Sequence, residues 1–82
     1  MLNVVILTPE REIFSGDAQA VFVPGTSGEF EILSGHAPIV SSLSEGSIKL
    51  IGTGGEKEIF SIKKGFVEVL NNTVSLLVQE NR

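Results

Sequence analysis

The sequence predicts an all-β fold, and three observations carry that prediction. Apolar residues recur at alternate positions or in short runs, the period of extended chain. Gly, Pro, Asn and Ser punctuate those runs about every 8–12 residues, the spacing of a β-sandwich or barrel. No window long enough for two helical turns shows the i, i+3, i+4 apolar stripe of an amphipathic helix.

In chain order, candidate strands fall at residues 3–7, 11–14, 18–23, 30–33, 39–43, 47–51, 58–62, 66–70 and 73–78. The turn signals between them are Thr8-Pro9, Ser15-Gly16-Asp17, Pro24-Gly25, Ser34-Gly35, Glu45-Gly46, the Gly52 to Gly55 loop, Lys64-Gly65 and Asn71-Asn72. Gly and Pro supply the fixed or positive φ that turns need, and Asn tolerates the left-handed region of two-residue hairpins. In the last third Phe66, Val67, Val69 and Leu70 surround one polar residue, Glu68. Strands apolar on both faces, in a chain this short, predict an exposed apolar patch, and such patches mark binding surfaces.

The length of 82 residues predicts one domain, 1–82. With no cysteine there is no disulfide framework, thiol chemistry or thiolate zinc site. The N-terminal apolar run is too short to span a bilayer and has no basic flank, so neither a signal peptide nor membrane insertion is expected. The net charge is -4, and no Lys or Arg lies between Arg11 and Lys49. A nucleic-acid binder needs a basic footprint, and this chain has none over nearly half its length.

Four groups of residues invite a chemical reading. His36, the only histidine, with Ser34 and Asp17 has the residue types of a nucleophile, base and orienter. The spacing matches no nucleophile elbow, and a turn leading into a strand is the simpler reading. Gly52 to Lys57 is glycine-rich but lacks phosphate-loop spacing and precedes a strand. Glu29, Glu31 and His36 form no known metal-ligand pattern, so no metal is expected. Asn71-Asn72-Thr73 matches a glycosylation acceptor but falls in a tight hairpin. No Trp or Tyr is available as an aromatic platform for a small ligand. These residues describe a small, non-enzymatic interaction module.

The stretch Val23-Pro24-Gly25, Gly28-Glu29-Phe30, Ile32-Leu33, Gly35-His36-Ala37-Pro38 closely resembles the signature of the epsilon subunit of F-type ATP synthase, called delta in mitochondria. Phe14-Ser15-Gly16, Leu43 with Gly46, Ile48 and Leu50, and Gly65 to Asn72 with Val74 extend the resemblance in the same order through almost the whole chain. The resemblance implies a flattened ten-stranded β-sandwich with no catalytic residues and no cofactor. It implies a rotor role in the F1 complex, binding the gamma subunit through one face and the polar loops of the c-ring through one end. The location implied is peripheral, on the cytoplasmic face of a bacterial membrane or its matrix or stromal equivalent.

Carried over by position, Gly28, Glu29, Phe30 and Glu31 form the implied c-ring-facing loop. Thr8, His36, Ala37, Pro38, Ser41 and Ser42 form the implied gamma-facing set. Glu31 stands where the family often has a small residue, and Ser34 where proline is common. Many members continue into a C-terminal helical hairpin; this sequence ends at Arg82, so no hairpin is expected. The alternative reading is a free-standing β-sandwich module for another protein or a small ligand.

Overall fold

The computed structural model describes residues 1–81, and these form strands, turns and no helix. The strands are β1 (Leu2–Leu7), β2 (Glu12–Ala18), β3 (Ala20–Gly25), β4 (Gly28–Leu33), β5 (Ile39–Leu43), β6 (Gly46–Ile51), β7 (Lys57–Leu70) and β8 (Thr73–Glu80).

Alternation drives the assembly. Leu2, Val4 and Ile6 of β1 are buried, and so are Val74, Leu76 and Val78 of β8. The two strands pair in parallel, Val4 beside Val74 and Ile6 beside Leu76, so these side chains share one face. β2 pairs with β1 on one side, and β7 and β5 follow β8 on the other. In the second sheet β4, β3, β6 and the first half of β7 bring Ile32, Val21 and Leu50 into one buried row. The two inner faces form a single core. Phe14 of β2 meets Phe60 of β7 edge to face across it, with centroids 5.8 Å apart. The shortest molecular dimension is 19 Å, which fits two sheets about 10 Å apart with their outward side chains.

The expected sandwich is present, but as eight strands rather than ten. The runs 58–62 and 66–70 are one strand, because the expected turn at Lys64-Gly65 is a β-bulge. Ile62 lies opposite Glu80 and Lys64 opposite Gln79, which leaves Lys63 as the extra residue. β7 pairs with β6 through Ile62 and with β5 from Gly65 onward, so it passes from one sheet into the other. A Cβ at Gly65 would lie 2.5 Å from the Leu77 carbonyl, so glycine is what lets β7 and β8 close at the bulge.

Ser15-Gly16-Asp17 is likewise strand rather than turn. β1 offers these residues a ladder, pairing Val5, Val4 and Asn3 with them in order. The β3–β4 turn falls at Thr26 and Ser27, and Pro24-Gly25 closes β3. The Asn71-Asn72 turn behaves as expected, with φ of 49° and 62°.

Candidate functional site

The groups that suggested chemistry are spent on turns. The Ser34 hydroxyl accepts a hydrogen bond from the Met1 amino group at 3.2 Å. His36 donates its backbone N–H to Leu33 O at 3.0 Å, and its ring Nδ1 lies 2.7 Å from Ala37 O. A carbonyl only accepts, so Nδ1 carries the proton in this contact. Asp17 sits on β2 opposite Asn3, and no hydrogen bond among the described residues joins it to Ser34 or His36. Among the described residues no three His, Cys, Asp or Glu side chains converge as a metal site.

The glycine-rich β6–β7 loop closes on itself. Gly52 N–H donates to Glu56 O at 2.7 Å, and Gly54 N–H donates to the Glu56 carboxylate at 3.1 Å. Gln19 ties the loop from outside, donating to Gly52 O and Thr53 O, each at 3.0 Å. An amide group that would greet a phosphate already has a carboxylate on it.

The outer face of the β2–β1–β8–β7–β5 sheet is different. Val40 is 71% exposed, Phe66 57%, Leu77 54% and Leu70 49%. Register places them together: Ser42 pairs with Phe66, Phe66 with Leu77, and Leu77 with Leu7 in one row across four strands. The next row runs Val40, Glu68, Ser75, Val5. At the upper end of this face, Leu7, Thr8, Ser42, Lys64, Phe66 and Leu77 line a groove. The sequence signalled that such a patch exists. It did not say which residues form it, because that needs the register between strands distant in the chain.

The positions singled out in the sequence divide among three places. Glu29 and Glu31 project together from the outward side of edge strand β4, both exposed. Phe30 between them packs on the core, and Gly28 holds a φ of 126° at the hairpin. Thr8 and Ser42 sit at the groove. The Thr8 hydroxyl accepts from the N–H of Glu10 and Arg11 at 3.2 and 3.1 Å, so it also shapes the β1–β2 turn. Arg11 reaches Glu80 at 3.5 Å across that end, an ion pair exposed at Arg11 and half-buried at Glu80. His36, Ala37 and Pro38 lie at the opposite end of β5 from Ser42, about 13 Å away by strand rise. Ser41 is half-buried and alternates away from its exposed neighbour Ser42.

The polar clusters of this two-sheet sandwich hold its own turns. Val40, Phe66, Leu70 and Leu77 gather on one outer face while Leu33 and Ile59 stand apart on the other, and such a gathered apolar patch is the mark of an interaction module. The comparisons with known proteins say which kind. Residues 1–81 match the family model described as ATP synthase, Delta/Epsilon chain, beta-sandwich domain, and the chain belongs to that family. It is 40% identical over 72 residues to the ATP synthase epsilon chain of Chromohalobacter salexigens, covering 88% of this chain and 51% of that one. To the epsilon chain of Chlorobaculum tepidum it is 39% identical over 75 residues, covering 92% of this chain and 85% of that one. The chain thus spans about half the length of the first relative and most of the second. The fold matches a chain in the cryo-EM structure of Euglena gracilis mitochondrial ATP synthase, OSCP/F1/c-ring in rotational state 1, with a TM-score of 0.91 at 23% identity. That match covers 96% of this chain and 51% of the other.

Proposed function

We propose that this domain is a non-catalytic coupling element of the central stalk of an F-type ATP synthase. It joins the gamma subunit to the c-ring, so that ion-driven rotation reaches the catalytic head. The observation that carries this reading is the open apolar face of β5, β7, β8 and β1 in a chain of the epsilon family. Gamma docks on that face. Thr8 and Ser42 bound it at one end and His36, Ala37 and Pro38 at the other, with Ser41 supporting β5 from behind. The β3–β4 end, with Gly28, Glu29, Phe30 and Glu31, meets the polar loops of the c-ring. Phe30 anchors that hairpin to the core, and the two carboxylates face basic or polar groups. Rigid turns suit such a joint, because a preordered surface loses little entropy when it docks. The domain has a peripheral place in the F1 complex, on the cytoplasmic face of a bacterial membrane or its matrix or stromal equivalent.

Titration of the chain with the gamma subunit of the same synthase tests the reading. Saturable one-to-one binding is expected. Absence of association, with both proteins folded, would sink it. Glu29→Lys should weaken docking of the gamma-bound domain to the c-ring while leaving gamma binding within about twofold, since an exposed rim charge contributes little to a distant face.

A further inference from the structure

The turn that carries His36, Ala37 and Pro38 has weak means of holding its own shape. Its internal hydrogen bonds are the His36 N–H to Leu33 O and the His36 ring contact to Ala37 O. Gly35 stands at its apex with φ of 87°, a conformation that costs glycine little and other residues more. The Gly35 N–H points out of the turn, to the Oδ1 of Asn72, 2.7 Å away and 37 residues along the chain.

Asn72 is itself committed on two other sides. Its φ of 62° makes the second position of the β7–β8 turn. Its backbone carbonyl accepts the Asn3 N–H at 2.8 Å, which fastens the start of β1. One half-buried residue therefore ties the β7–β8 turn, the first strand and the β4–β5 turn. The neighbouring tie, from the Met1 amino group to Ser34, is longer at 3.2 Å and lies at the chain terminus.

We infer that Asn72 is a positioning residue for docking: its side-chain oxygen holds the Gly35 turn in the shape that presents His36, Ala37 and Pro38 to the gamma subunit. This rests on the proposed function for the identity of the partner. The side chain acts through Gly35. Its chemistry needs an acceptor at Oδ1 and a residue that tolerates positive φ, and Asn supplies both.

The two requirements separate by mutation. Asn72→Gly keeps the positive φ and produces an Asn-Gly pair, the preferred two-residue hairpin sequence, but deletes the acceptor. Asn72→Asp keeps both the acceptor and the tolerance of left-handed backbone. Amide exchange at Gly35 and His36, followed by NMR in the free domain, should quicken about five- to tenfold in Asn72→Gly relative to wild type, the worth of one hydrogen bond. In Asn72→Asp it should stay within about twofold. Affinity for gamma should fall about fivefold in Asn72→Gly and hold in Asn72→Asp, while the thermal midpoints of both stay near wild type. A role confined to the β7–β8 turn predicts unchanged Gly35 exchange and unchanged gamma affinity for Asn72→Gly, since an Asn-Gly turn is intrinsically better. Unchanged Gly35 exchange, or unchanged gamma affinity, in a folded Asn72→Gly domain overturns the inference. Failure of the wild-type domain to bind gamma overturns the proposed function instead.

Discussion

The two outer faces of the sandwich are built from the same strand grammar and end up with opposite surfaces. On the β2–β1–β8–β7–β5 sheet, Val40, Phe66, Leu70 and Leu77 stand in the open, with Glu68 among them and Lys64 and Glu12 towards the rim. On the β4–β3–β6–β7 sheet, the comparable row runs Glu31, Phe22, Lys49, Ile59. There Lys49 Nζ lies 5.5 Å from the centre of the Phe22 ring, and Phe22 is half-buried. One face covers its aromatic with its own cation and lines it with charges of both signs. The other leaves its aromatic bare. Burying the first face costs the desolvation of several charges, whereas burying the second removes mainly apolar surface from water. The contrast is the physical reason for proposing the apolar face, rather than the other, as the docking face.

The largest effect should come from the residue that lets the two sheets share β7. Gly65→Ala places a methyl 2.5 Å from the Leu77 carbonyl and 2.9 Å from the Val78 side chain. Destabilisation of about 3 kcal/mol is expected in denaturant unfolding, at the upper end for overpacking because backbone must move. A fully stable Gly65→Ala domain would mean that the bulge relaxes easily and does not define the boundary between the faces.

A matched pair of double substitutions tests the comparison itself. Phe66→Ser with Leu77→Ser should leave the thermal midpoint near wild type, because both side chains are more than half exposed. Affinity for gamma, read by titration, should fall at least about tenfold, as when central apolar anchors are removed. Leu33→Ser with Ile59→Ser removes exposed apolar side chains from the other face and should change that affinity less than about threefold. Equal losses from the two pairs would erase the distinction between the faces.

The smallest effect belongs to the self-covered face. Lys49→Met keeps the aliphatic stem over Phe22 and removes the charge, so a loss of about 0.5 kcal/mol is expected from chemical denaturation. A larger loss would show that this face depends on its cation more than the geometry suggests.

Much of this was legible in the residues. Alternation located the strands, because a strand half-buried in a two-layer fold must turn every second side chain inward. The Asn71-Asn72 hairpin followed from the tolerance of Asn for left-handed backbone, realised at φ of 49° and 62°. The ordered blocks around Gly28 and Gly35 pointed to the epsilon family, and the family match runs through residues 1–81. Lys63-Lys64-Gly65 was misleading for a physical reason. A bulge and a turn use the same residues, and which one forms depends on whether partner strands flank both sides.

The sequence by itself determined the class of fold, the strands and most turns, because these answer to local periodicity and backbone preference. The tertiary structure alone decided the passage of β7 between sheets and the gathering of Val40, Phe66, Leu70 and Leu77 on one face. It also decided the meeting of Asn72 with Gly35. Each of these depends on register between segments far apart in the chain. A shift of one residue in any of those pairings would send the same side chains to the other side of the sheet.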